Sequence, residues 1–172
     1  LQRVNAILED QASIDSLTGV YNRRKFLELL QQKIQESKRY GMLLALIFFD
    51  IDHFKLINDT YGHEAGDSVL QELAQLVTSK IRQTDIFARF GGEEFVILAH
   101  NDDIGAGCEL AEKIRRDIHQ HNFKLVGMVT CSFGVAQFLP GDTTDTIIKR
   151  ADDAMYSAKR KGRNLVESNC DF

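Results

Sequence analysis

Apolar residues change their spacing several times along the chain, and each change predicts an element. Leu1, Val4 and Leu8 recur at three- and four-residue steps, the narrow stripe of a short polar helix. Such a stripe suits either a coiled-coil end or a helix packed on its own domain, and it sets residues 1–14 apart from a domain spanning 15–172. Asn22 can cap a second helix whose Phe26, Leu29, Leu30 and Ile34 share one face, and Gly41 ends it. Residues 42–49 read as a strand buried on both faces, because no alternation is visible. A loop with a helical turn covers 51–62, and Leu70, Leu73, Leu76, Val77 and Ile81 mark a long helix over about 65–82. Strands at 85–90 and 94–99 are joined by Gly91-Gly92, a two-residue connection in which glycine accepts the positive φ of a tight hairpin. A helix at 104–121, a strand at 126–135 and a helix at 144–160 follow, with Gly162 beyond the last helix and a small closing strand at 165–166.

This order is the ferredoxin-like βαββαβ plan with helices added at both ends: an α/β (α+β) palm with an antiparallel central sheet and flanking helices. The crossover makes the first two strands run parallel. The end of the first strand and the hairpin after the second therefore lie at one edge, which brings Asp50 towards Glu93 and Glu94.

Composition narrows the function classes. A formal net charge of -4 argues against binding a nucleic acid polymer, though a few local cations and a metal can still hold a nucleotide. Cys108, Cys131 and Cys170 are far apart and form no CxxC pair, so neither a disulfide framework nor a zinc site is expected. The apolar run at 42–49 is too short to span a bilayer, and no signal peptide is present. A reducing, cytoplasmic setting is expected for the domain, which leaves open a membrane anchor elsewhere in a longer protein.

Hard divalent cations such as Mg²⁺ take oxygen ligands, commonly one or two carboxylates completed by substrate phosphates. Asp50, Asp52, Glu93 and Glu94 supply acids, the Ile51 carbonyl one more oxygen, and Gly91-Gly92 leave room for a triphosphate. Two metals about 4 Å apart can activate a hydroxyl and stabilise a leaving oxygen, so attack on an α-phosphate is the natural chemistry. Topology alone is equally compatible with a strand-end acid and a solvated hairpin tip.

The local sequences are more specific. DSLTGVYNRR (15–24), FFDIDHFKLINDTYGHEAGD (48–67), RFGGEEF (89–95), SFGVA (132–136) and ADDAMYSAKRKGRN (151–164) resemble the GGDEF family of diguanylate cyclases, in its order and spacing. The resemblance implies a metal-dependent nucleotidyltransferase that condenses two GTP into cyclic di-GMP and two pyrophosphates, active as a homodimer and inhibited by its product. It also implies an output domain in a larger bacterial signalling protein, driven by an upstream sensory domain. Asp50, Glu93 and the Ile51 carbonyl would hold Mg²⁺, or Mn²⁺ in its place, with two ions per half-site. Glu93, where the family's name has Asp, would also accept the 3′-hydroxyl proton. Lys55 would join Asp50 and Glu93 as a catalytic residue, and with Phe54 would hold the terminal phosphates over Gly91 and Gly92. Lys159 and Arg163 would close over them.

Asn58 and Asp67 match the positions that read guanine, and His63 a residue that contacts ribose or base. An ionised carboxylate accepts the parallel N–H bonds of guanine N1 and its 2-amino group, whereas adenine would leave Asp67 unpaired. Arg82 and Asp85 form an RxxD separated from Gly91 by five residues, which resembles the family's product-inhibition site. Two rivals stand beside this reading. A silent GTP-binding or cyclic di-GMP-sensing module is disfavoured by the presence of Asp50, Glu93, Lys159 and Arg163. A different palm-type nucleotidyl transferase is disfavoured by Asn58, Asp67 and the RxxD.

Overall fold

β1 (Leu44–Ile51) is the central strand of a five-stranded sheet, and all eight of its positions are buried. The sheet runs in the order β2 (Ile86–Arg89), β3 (Glu94–His100), β1, β4 (Cys131–Gln137), β5 (Val166–Asn169). β1 pairs antiparallel with both β3 and β4, and β2 pairs antiparallel with β3. This is the expected ferredoxin-like core, in which β1 and β2 point the same way with β3 between them. β5 is parallel to β4, so the whole sheet is mixed. The coordinates are a computed structural model describing residues 1–169; residues 170–172, with Cys170, and the side chains of 5, 6 and 9–11 lie outside the described residues.

Two-residue alternation divides the strands between two apolar layers. Phe49, Phe95 and Phe133 face α4 (His63–Thr78) and α5 (Ile104–Gln120), and their rings stack with centroids 4.6 Å and 5.6 Å from that of Phe49. Phe48, Leu46 and Val96 face the opposite way, against α2 (Arg23–Tyr40) and α6 (Thr144–Arg160). Asn22 caps α2 as expected, accepting the Lys25 N–H at 2.9 Å. At Gly134 of β4 the layers come closest: a methyl group there would lie 2.0 Å from the Ala151 carbonyl oxygen and 2.2 Å from the Met155 nitrogen. The bare glycine is what lets the backbone of α6 rest on the sheet.

Several boundaries differ from the sequence reading. β1 starts and ends two residues later than 42–49, so Asp50 lies inside the ladder, opposite Glu94 and Ser132. The segment 51–62 holds a complete helix, α3 (Phe54–Tyr61), and Gly62 alone separates it from α4. α4 stops at Thr78 rather than near 82: the Ser79 N–H still reaches the Gln75 carbonyl, but the Lys80 N–H bonds the Val77 carbonyl in a tighter three-residue step. The strand expected over 126–135 begins only at Cys131; Phe123 and Gly127 close a tight turn instead, from which Val126 and Val129 pack on the core. α1 (Gln2–Gln11) keeps Leu1, Val4 and Leu8 more than half exposed, so the stripe is not packed on its own domain. Among the described residues no helix is long and apolar enough to cross a membrane.

Candidate active site

Asp50 lies two positions beyond Phe48 and so points to the α6 side of the sheet. Only 4% of the residue is exposed. Lys159, near the end of α6, donates to its Oδ2 at 2.5 Å, while Oδ1 is buried with no hydrogen-bond partner among the described residues. Burial pushes the Asp50 carboxyl up to about 6; Lys159 pulls it down, and the nearby charges of Glu93 and Asp52 add to the rise. An orphaned, buried carboxylate oxygen beside a second acid suits a hard cation.

Asp52 does something else. Its oxygens accept hydrogen bonds from Thr130 Oγ1 (2.7 Å), Ser132 Oγ (2.6 Å) and the Asn164 N–H (3.0 Å). A carboxylate so fully engaged is a structural tie, not the additional metal acid its place in the sequence suggested. It anchors the turn after α6, where Arg163 stands exposed with φ 64°. Among the described residues, no three His, Cys, Asp or Glu side chains are arranged to hold an ion by themselves. The resemblance implies Asp50, Glu93 and the Ile51 carbonyl as donors, a set of the size a cation takes when phosphates complete its shell.

The Gly91-Gly92 connection is longer than expected. β2 ends at Arg89 and β3 begins at Glu94, leaving a four-residue loop, and neither glycine has a positive φ. The need met here is space. A methyl group on Gly91 would lie 2.4 Å from Glu94 Oε2, so the Glu94 carboxylate folds over Gly91, whereas Gly92 faces open space. Burial raises the Glu94 carboxyl, and the charges of Asp152 and Glu93 raise it further. The half-buried Glu93 is stitched to β1 by its carbonyl, which accepts the Ile51 N–H at 3.3 Å.

Arg89 holds this loop, a role the sequence reading missed. Its guanidinium donates to the Gly91 carbonyl at 3.1 Å and to the Gly92 carbonyl at 2.7 Å, and pairs with Asp15 at 3.3 Å. Burial pushes the Asp15 carboxyl up, but hydrogen bonds from Thr18 and the Arg89 charge outweigh it and hold the group below its ordinary value. The tie is thus complete at neutral pH and is lost as acid protonates Asp15. Membership in the 15–24 and 89–95 segments was the only signal available for either residue. Arg89→Ala is expected to cost about 1–3 kcal/mol by loosening the loop, which a thermal melt of the variant against the parent checks.

The α3–α4 corner carries the other expected residues. Phe54 packs on the core, Lys55 and His63 are exposed, and Asn58 is half-buried. A methyl group on Gly66 would lie 1.9 Å from Asn58 Oδ1, so Asn58 rests against the residue that precedes the exposed Asp67. α3 starts three residues after β1 ends, so its first turn, with Phe54 and Lys55, follows Asp50 closely along the chain.

Arg82 and Asp85 lie elsewhere, at the opposite end of β2. Asp85 accepts the Arg82 N–H at 3.0 Å and the His100 N–H at 3.2 Å, which ties the start of β2 to the end of β3. The exposed Arg82 guanidinium pairs with Asp102 at 3.2 Å. A cleft of about 410 Å³ opens beside them, lined by Val20, Tyr21, Ile81 and Phe87 among others.

Residues 12–165 match the family described as diguanylate cyclase, GGDEF domain. The diguanylate cyclase DgcP of Pseudomonas aeruginosa is 43% identical over 166 residues, which cover 93% of this chain and 25% of the relative. The response regulator PleD of Caulobacter vibrioides is 38% identical over 161 residues, covering 90% of this chain and 36% of PleD. The chain spans between a quarter and about half of the length of such relatives. Among solved structures, the GGDEF domain of DgcB from Caulobacter crescentus in complex with c-di-GMP superposes with a TM-score of 0.86 at 33% identity, covering 91% of this chain and 93% of that one. The active GGEEF domain of a diguanylate cyclase from Vibrio cholerae gives 0.81 at 39% identity, covering 86% and 96%. With its fold, its GGEEF loop and its adjoining acids all accounted for, the chain belongs to the GGDEF family, the catalytic domain of diguanylate cyclases.

Proposed function

We propose that this chain condenses two GTP molecules into cyclic di-GMP and two pyrophosphates, each copy holding one nucleotide and two copies facing each other. The observation that carries the reading is the buried, unpartnered Oδ1 of Asp50 beside the GGEEF loop. Asp50, Glu93 and the Ile51 carbonyl hold Mg²⁺, or Mn²⁺ in its place, with two ions per half-site. When bound, the metal neutralises phosphate charge and acidifies the attacking hydroxyl. Asn58 and Asp67 read guanine, with His63 at the ribose or base. Phe54 and Lys55 receive the terminal phosphates, Gly91 and Gly92 give them room, and Lys159 and Arg163 close over them. Glu93 accepts the proton of the 3′-hydroxyl as it attacks the α-phosphate of the nucleotide on the other copy.

Lys159 has two tasks on this account. Without substrate it neutralises Asp50, and with substrate it is free to turn to the phosphates. The exposed stripe of Leu1, Val4 and Leu8 supports pairing of copies, through which an upstream sensory domain sets the distance between half-sites. Each half-site is incomplete alone, so the rate should rise with the square of protein concentration when the chain is dilute.

Incubating the chain with GTP and Mg²⁺ and separating the products tests this directly. Cyclic di-GMP and pyrophosphate in a 1:2 ratio are expected, and synthesis should be absent with ATP. Failure to form cyclic di-GMP at any protein concentration would leave a binding module instead. Arg82 and Asp85 bind the product as inhibitor, supported by the exposed guanidinium and the cleft beside it. Arg82→Ala is expected to raise the half-inhibitory concentration of cyclic di-GMP at least about tenfold, by removing charge-assisted bonds. Equal inhibition of variant and parent in a product-titration assay would contradict that role.

A further inference from the structure

Glycine is the poorest helix former after proline, yet Gly66 stands in the first turn of α4 with no positive φ. Conformational freedom is therefore not what the position uses. A methyl group there would lie 1.9 Å from Asn58 Oδ1, 3.0 Å from Asn58 Cγ and 3.2 Å from Phe54 Cζ. The first distance is too short for any real contact and the second is unusually tight, and both atoms belong to one side chain. That amide is half-buried and makes no hydrogen bond to the protein among the described residues, so packing on the bare helix surface sets its place.

We propose that Gly66 is a positioning residue for base recognition: its missing side chain lets the Asn58 amide lie on α4 next to Asp67, so that both polar ends address one purine. The inference rests on the reading of Asn58 and Asp67 as guanine contacts. Asp67 follows Gly66 on the same helix and keeps its backbone when a methyl group is added. Asn58, which arrives from α3, is the group displaced. Alanine at 66 therefore separates the two contacts without removing either, and it improves the helix itself.

The test compares Gly66→Ala, Asn58→Ala and the double variant with the parent chain, by GTP steady-state kinetics and thermal melting. Gly66→Ala is expected to raise KM for GTP on the order of tenfold, the scale of one lost hydrogen bond to a ligand. Its kcat at saturation should change far less, and its melting temperature should not fall. Asn58→Ala should raise KM similarly, and the double variant should be no worse than Asn58→Ala alone, because the amide that the methyl group displaces is already gone. If Asn58→Ala leaves KM unchanged, the guanine-site reading itself fails. If Asn58→Ala weakens binding but Gly66→Ala does not, the positioning role is overturned while the site stands. A Gly66→Ala penalty that adds in full to that of Asn58→Ala, or a marked fall in melting temperature, also overturns it.

Discussion

Asp50→Asn is expected to abolish cyclic di-GMP synthesis while leaving the metal-free chain as stable as the parent, or more so, at pH 8. The loss of activity should reach at least about a thousandfold, because a metal-binding carboxylate at the reacting phosphates supplies several kcal/mol of transition-state stabilisation. The stability part follows from burial. The folded chain pushes the Asp50 carboxyl up to about 6 from an ordinary 3.8, with the Lys159 ion pair already included. A raised carboxyl contributes its stability fully below 3.8, and that contribution is lost as pH rises through 6. At pH 8 the ionised form therefore weakens the metal-free fold by roughly 3 kcal/mol at most, and an uncharged amide relieves part of it. Mg²⁺ should raise the melting temperature of the parent and not of the variant, since a ligand stabilises only the state that binds it. Persistent synthesis, or an Mg²⁺-dependent rise in the variant, would remove Asp50 from the metal site.

Gly134→Ala should have the largest effect on stability. The added methyl group meets main-chain atoms of α6 at 2.0 Å and 2.2 Å, and these cannot rotate aside as a side-chain tip could. The helix must lift from the sheet. Ile147, Ala151 and Met155 then lose packing against Leu46, Phe48 and Val96, and Lys159 is carried away from Asp50. Overpacking of this kind costs about 3 kcal/mol or more, a fall of roughly 6–12 °C in melting temperature for a domain of this size. Turnover should fall by more than the unfolded fraction explains, because Lys159 rides on the displaced helix. A melting temperature within about 2 °C of the parent would mean that α6 does not rest on Gly134.

The sequence was legible where order arises within a few residues. The helical faces of Phe26, Leu30 and Ile34, or of Ile147, Ala151 and Met155, are written in three- and four-residue steps, and both sets are buried. The burial of 44–49 likewise followed from the apolar run read as a strand over 42–49. The segment 126–135 misled because its apolar residues serve two ends: Val126 and Val129 pack from a turn, whereas Phe133 and Val135 pack from a strand. Apolar content alone does not separate those uses. Asp52 misled for a related reason, since its partners Thr130, Ser132 and Asn164 lie 78 to 112 residues away.

By itself, then, the sequence determined the run of helices and strands, the two-sided burial of the central strand, the edge at which Asp50 and Glu93 meet, and the family. Periodicity and short motifs are local, and they survive being read in one dimension. Only the tertiary structure decided which acids remain available. It satisfied Asp52, left one oxygen of Asp50 without a partner among the described residues, set Arg89 on the glycine carbonyls and rested α6 on Gly134. Whether a polar atom is paired or orphaned, and whether a glycine serves freedom or space, depends on neighbours brought in from distant parts of the chain by packing.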